Sequence, residues 1–280
     1  MSAAERLPAY RGELSAVVLP GDDGVLDLLA RGRIEVEGRL VDASNATLFC
    51  AISLDGVSAQ CVYKPVRGER PLWDFPNGTL AGREVSTYLI SQASGLGVVP
   101  PTVLRAGPFG SGMVQLWVDT VEQDLVDIVA EAEVPPGWRA VLHAHDRYGD
   151  PAVLVHADHE RMRVMAALDV VVNNADRKGG HVLHAVDGSV YGVDHGICLH
   201  TEDKLRTVLW GWLGEELPPE AVEGLGRLRS ALDGPLNEEL HEHLTRGEVR
   251  ALVERVEKLS VAGVFPAPSS EWPSIPWPAF

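Results

Sequence analysis

The chain has 280 residues, 45% of them hydrophobic, and a formal net charge of −16. That length allows one large domain or two lobes with a sizeable core. The charge argues against nucleic acid as a partner, because phosphate binding needs clustered Lys and Arg, and against stable association with an anionic membrane.

No apolar run is long enough to cross a bilayer, and Met1–Arg6 lacks an apolar signal core. Cys50, Cys61 and Cys198 form no paired spacing, so a reducing cytoplasm is the expected setting. Residues 1–24 read as a loose lead-in and Val25–Ala30 as a short helical turn. Alternation then begins: strands are expected from Ile34 to Leu40, over Thr47–Leu54 and over Ser58–Lys64, with Asp55-Gly56 as a hairpin turn. An irregular stretch, Val66–Gly78, precedes a helix over Leu80–Ser91 with Thr79 as its N-cap. Val103–Arg105 and Met113–Val118 supply two more strands.

After Asp119 the pattern reads as helical. Glu122–Ala132 is one expected helix, His143 and His145 fall in an expected loop, and Ala157–Asn173 carries the clearest helical spacing, capped by Asp158. Val182–Ala185 and Val190–Val193 form a hairpin around Asp187-Gly188. The rest is mostly helical as far as Phe265, and Pro266–Phe280 is an extended tail expected to pack through Trp272, Trp277 and Phe280.

The most informative stretch is Asn173-Asn174-Ala175-Asp176-Arg177-Lys178-Gly179-Gly180-His181, with Val193-Asp194-His195-Gly196 following. It sets carboxylates at the two ends of a short hairpin, Asp176 past a helix and Asp194 past a strand. Kinases use such a pair to hold an acceptor hydroxyl at one carboxylate and metal-bound ATP at the other. Asp176 is then the expected catalytic base, with Arg177 stabilising it or touching the transferring phosphoryl group, and Asp194 is an expected metal ligand.

A phosphate-binding cation is also needed, with a carboxylate to hold it. Lysine is confined to Lys64, Lys178, Lys204 and Lys258, so Lys64 at the end of an apolar strand stands out. Glu84, twenty residues on, lies on the next helix at a spacing that suits the pair. A solvated strand-end lysine is the plainer reading of Lys64 alone. The loop Val41–Thr47, with Ser44 and Asn45, is small enough for backbone N–H groups to approach a phosphate, although a hairpin turn explains it equally well. Met113–Trp117, with Gln115 and Trp117, sits where a hinge strand would meet adenine. The histidines near residues 143–159 and 181–200 make a metallohydrolase conceivable, but no paired metal motif appears, and structural histidines are the simpler reading.

On Tyr63-Lys64-Pro65, Gly82-Arg83-Glu84, Asn174-Ala175-Asp176-Arg177 and Val193-Asp194-His195-Gly196, the stretch from about Ile34 to Phe265 resembles the phosphatidylinositol 3- and 4-kinase-like superfamily of atypical kinases, in a bacterial branch. The resemblance implies an α+β, two-lobed protein-kinase-like fold: a β-rich lobe within residues 1–118 and a mainly helical catalytic lobe over 119–280. It implies ATP with Mg²⁺ or Mn²⁺ as cofactors, Lys64 on the nucleotide phosphates, Glu84 anchoring Lys64, Asp176 as the catalytic aspartate and Asp194 as a metal ligand. Where that family carries a metal-binding Asn five residues past the catalytic Asp, this chain has His181, a ligand better suited to Mn²⁺ than to Mg²⁺.

The expected activity is transfer of a phosphoryl group to a soluble small-molecule or protein hydroxyl. The segment after Asp194 is as acidic as it is basic, which disfavours a phosphoinositide. A nucleotide-binding pseudokinase acting on a partner, with the C-terminal tail as a possible partner site, and an AMP transferase on the same fold are the alternatives.

Overall fold

The computed structural model describes residues 18–40 and 46–280. Among them are six α-helices and three antiparallel sheets. Ser44 and Asn45 lie outside the described residues. The chain divides into two compact units, one comprising Met1–Ala81 and Pro101–Val118, the other Gly82–Pro100 and Asp119–Phe280. No helix among the described residues is long and apolar enough to cross a membrane.

The first unit is a five-stranded sheet, order β1-β2-β3-β5-β4, with α1 (Val25–Arg31) on one face. Its strands are β1 (Arg33–Arg39), β2 (Leu48–Leu54), β3 (Val57–Pro65), β4 (Thr102–Gly107) and β5 (Gly110–Leu116). The β2–β3 turn is the expected Asp55-Gly56, both at positive φ (50° and 85°), the backbone that a two-residue hairpin with right-handed strand twist requires. Because side chains alternate, Cys50, Ile52, Cys61, Tyr63, Val114 and Leu116 share the face packed on Val25, Leu28 and Leu29. Their neighbours Phe49, Val62, Lys64, Met113 and Gln115 fall on the opposite face, and the register sets Lys64 across from Met113 and Val62 across from Gln115.

Helix α2 (Leu80–Ser94) begins as expected; the Glu69 carboxylate accepts from the Leu80 and Ala81 N–H groups, and the Thr79 hydroxyl donates to Pro76 O.

The second unit departs from the sequence reading before its central helix. The expected helix over Glu122–Ala132 and the expected loop at His143–His145 are strands of one sheet, order β6-β8-β7: β6 (Val126–Ala130), β7 (Trp138–His145) and β8 (Pro151–Ala157). β6 and β7 are exposed edge strands, and only central β8 is buried along most of its length.

Helix α3 (Glu160–Val172) follows, buried on nearly every side and therefore central to the unit. The ring of His159, rather than the expected Asp158, caps it by accepting from Arg161 N, and Asn173 closes it in the left-handed conformation. The hairpin β9 (Val182–His184) and β10 (Val190–Gly192) is as expected. Helices α4 (Pro219–Leu232), α5 (Pro235–His241) and α6 (Arg246–Ala262) complete the core with α3.

Candidate functional site

The end of α3 organises the candidate site. Asp169 in its last turn is fully buried and takes the Arg177 guanidinium as a fork, at 2.8 Å through each carboxylate oxygen. Its Oδ1 also accepts from the Asn174 amide at 2.9 Å, and Asn174 Oδ1 accepts from Asp176 N at 3.0 Å. Arg177 donates further to the carbonyls of His181 and Val193 and lies 2.7 Å from His195 Nε2. A single buried cation thus ties α3, the loop after it and both ends of the hairpin together.

The Arg177 side chain is 0% exposed, with its hydrogen bonds directed inward, and of its two expected roles this burial suits stabilising Asp176 rather than touching a phosphoryl group.

The loop after α3 runs beside Arg206–Val208. Arg177 N donates to Arg206 O, and Val208 N donates to Arg177 O, a parallel bridge between Arg177 and Thr207. In such a segment successive side chains alternate. Arg177 points inward, so Asp176 and Lys178 point outward on the same side, with Lys178 Nζ 3.8 Å from Asp176 Oδ2.

The Asp176 carboxyl is pushed up to about 6, chiefly by burial, with Asp194 adding to the rise and Lys178, Arg206 and Arg177 opposing it. A carboxyl poised there is ionised near neutral pH yet basic enough to take a proton. Lys178 is a site residue that the sequence reading passed over, although its placement two residues from Asp176 in an extended segment was a usable signal.

At the other end of the hairpin Asp194 adopts a left-handed backbone, φ 64°, which aspartate tolerates better than most residues. Its side chain is 49% exposed, whereas the next residue, His195, is fully buried. His195 N donates to Glu84 Oε2 at 2.9 Å, so the buried Glu84 fixes the backbone that presents Asp194. The adjacent Arg83 is equally buried, ion-paired to Glu248 and bonded to Cys198 O at 2.8 Å.

His181 Nε2 is 3.3 Å from Asp194 Oδ2. With Nδ1 accepting from Lys178 N at 3.5 Å, the ring proton is assigned to Nε2, facing the carboxylate. No cluster of three or more metal-ligating side chains occurs among the described residues. Asp194 suits a divalent ion that takes its remaining ligands from phosphate and water, whereas His181 would ligate only with its proton moved from Nε2 to Nδ1, at the expense of the contact with Lys178 N.

In the first unit, Lys64 and Gln115 are on strand positions of one parity, on the face away from α1, and Trp117 follows the end of β5. Gln115 is committed within the sheet, its amide donating to Thr102 Oγ1 at 2.8 Å. Trp117 meets Phe49 edge-on with ring centres 4.8 Å apart. Lys64 and Glu84 belong to different units.

His156 is buried, Nδ1 to Ala157 O and Nε2 accepting from Gly211 N, and burial pushes it down to about 4, so it stays neutral. His143 pairs with Glu131 at 3.4 Å on the exposed sheet.

The expected packing of the tail is present at several points. Ala279 O accepts from Gly179 N, Ser274 O accepts from Thr207 N and from the Trp210 indole, and the Phe280 ring covers Gly179, where a Cβ would collide with it. Trp277 is exposed.

No family model matches the chain. It is 51% identical over 263 residues to the Mycobacterium tuberculosis protein Rv2133c, an alignment covering 90% of this chain and 94% of that protein. Among solved structures, the Helicobacter pylori proinflammatory kinase CtkA aligns at a TM-score of 0.45 and 11% identity, over 85% of this chain and 94% of the other.

Proposed function

This chain belongs to the same family as the Mycobacterium tuberculosis protein Rv2133c, and we propose that it is an ATP- and metal-dependent phosphotransferase acting on a soluble hydroxyl acceptor. The observation that carries this reading is the outward pair Asp176–Lys178, held by an inward Arg177–Asp169 clamp, with His181 and Asp194 facing each other at the open end of the hairpin that follows. In this reading the chain has a two-lobed kinase-like fold. The sheet face of Lys64 and Gln115, with Trp117 after it, serves the nucleotide, and Glu84 is the anchor proposed for Lys64.

Asp176 accepts the proton of the acceptor hydroxyl. Lys178 offsets charge on the group in transfer, from a position beside the base. Asp194, joined by His181 once its ring proton moves to Nδ1, would hold the divalent ion, which supplies charge neutralisation on the phosphates. Little covalent work is left to the protein, so catalysis comes from positioning and fixed charge.

Asp194→Asn is expected to lose metal-dependent ATP binding, and Asp176→Asn to keep binding while losing at least about a hundredfold in turnover, as for removal of a general base. Calorimetric titration with Mn²⁺-ATP and a coupled turnover assay read the two effects. Full turnover in both variants would refute the assignment.

A pseudokinase is the second reading, favoured by His181, whose Nε2 proton faces the carboxylate that the ion needs. Nucleotide binding without phosphoryl or adenylyl transfer, under both Mg²⁺ and Mn²⁺, would select it.

A further inference from the structure

The parallel bridge that turns Asp176 outward also sets Arg206 at its side. Because Arg177 pairs with Thr207, Asp176 and Arg206 occupy the preceding, laterally adjacent positions, and side chains at such positions leave a parallel ladder on the same face. Strand neighbours of this kind are roughly 4.8 Å apart. The Arg206 charge is felt by Asp176, where it opposes the effect of burial.

Arg206 is otherwise uncommitted. It is half-buried, its guanidinium makes no hydrogen bond or ion pair among the described residues, and its buried Nε lacks a hydrogen-bond partner there. The two fully buried arginines of this unit are paired, Arg177 with Asp169 and Arg83 with Glu248; Arg139, Arg163 and Arg255 share with Arg206 a buried nitrogen lacking a partner among the described residues.

The guanidinium is nevertheless held in place. Its Cζ lies over the Trp272 ring at 5.5 Å, and the same ring receives Lys204 Nζ at 4.5 Å. The tail that carries Trp272 is itself tied to this segment through Ser274 O on Thr207 N. A planar, always-charged fork, stacked on an indole and lacking a carboxylate partner, is preorganised for an oxyanion.

We propose that Arg206, supported by Trp272, recognises the acceptor, and that the acceptor is a small alcohol bearing a carboxylate or phosphate a few bonds from the hydroxyl that it presents to Asp176. The proposal rests on the phosphotransferase reading for the hydroxyl, while the anion site stands on the geometry around Arg206. Arg206 and Lys178 supply cations beside Asp176, while Lys204 is already paired with Glu202 and Asp194 adds a further negative charge nearby.

The test compares three probes, glycerate, glycerol 3-phosphate and glycerol, by calorimetric binding and by transfer from Mn²⁺-ATP, in the wild type, Arg206→Gln and Arg206→Lys. The expected result is a margin of at least about tenfold for either anion over glycerol in the wild type, loss of that margin in Arg206→Gln and partial recovery in Arg206→Lys. The balance between glycerate and glycerol 3-phosphate identifies which oxyanion is preferred. Equal binding of all three probes by the wild type, or an undiminished margin in Arg206→Gln, overturns the proposal. An intact margin that disappears in Arg206→Gln, with transfer to none of the probes, upholds the anion site and counts against phosphotransfer to such alcohols.

Discussion

Replacing Asp176 with Asn tests whether the site is strained by its own chemistry. The carboxyl has an ordinary value of 3.8 and is pushed up to about 6 in the folded chain. For a group whose folded value is raised, the stabilising contribution is present below the unfolded value, near pH 4, and is lost as pH rises through the folded value, near pH 6. Ionised Asp176 therefore destabilises the fold at neutral pH. A shift of this size corresponds to at most about 3 kcal/mol, and the partial exposure of the side chain, 29%, reduces it to roughly 1–3 kcal/mol. Asparagine keeps the shape and removes the charge, so Asp176→Asn should unfold at a higher temperature than the wild type at pH 8. At about 2–4 °C per kcal/mol for a unit of this size, the rise is a few to about 10 °C by scanning calorimetry. At pH 4, where the wild-type carboxyl is protonated in the fold, the two should converge. Equal melting at pH 8, or a gap that widens as pH falls, would refute the reasoning.

Turnover should rise with pH to a half-maximum near pH 6 and then level off, because only ionised Asp176 accepts a proton; a rate constant from pH 5 to pH 7 would contradict its role as base. Asp169→Asn strips the buried Arg177 of its counter-charge and should cost about 3–5 kcal/mol in urea unfolding, with a loss below 1 kcal/mol counting against the clamp. Glu248→Ala removes the partner of buried Arg83 and the capping box on Thr245 together, and should cost a similar amount. Glu248→Gln preserves an acceptor for the cap and should recover part of that loss, which thermal melts of the two variants would show.

Much of the first unit was legible because its signals are local. The alternation of β2 and β3 and the Asp55-Gly56 turn specify a hairpin within a few residues, and the register follows from the turn. The second sheet was not legible for the opposite reason. β6 is an edge strand with one fully buried residue, Val126, so it shows no alternation that would mark it as a strand. β7 is also mostly exposed and pairs with β8 across the intervening turn, so the two edges are specified by the apolar run of β8 between them in space. The site divides in the same way. Asp176 and Asp194 bracket a recognisable hairpin, whereas Arg206 reaches Asp176 through a ladder between segments thirty residues apart, and no spacing in the sequence announces that.

The same ladder explains why folding and chemistry do not compete within one short loop. A buried ion pair repays its desolvation only with good geometry and saturated hydrogen bonds, and Arg177 meets that condition through Asp169, two carbonyls and His195. Alternation then sends the adjacent Asp176 and Lys178 outward, where burial is partial and charges stay available. Asp176 needs that intermediate position. Full exposure would leave its carboxyl near 3.8, a weak base, while complete burial would keep it neutral at physiological pH. The Asp169–Arg177 clamp sets how far the loop can move from that balance. Its loss should therefore lower turnover at neutral pH and, by admitting water to Asp176, move the pH midpoint below 6 toward the ordinary carboxyl value. An Asp169→Asn enzyme that loses rate while keeping its midpoint would show that the clamp sets position without setting basicity.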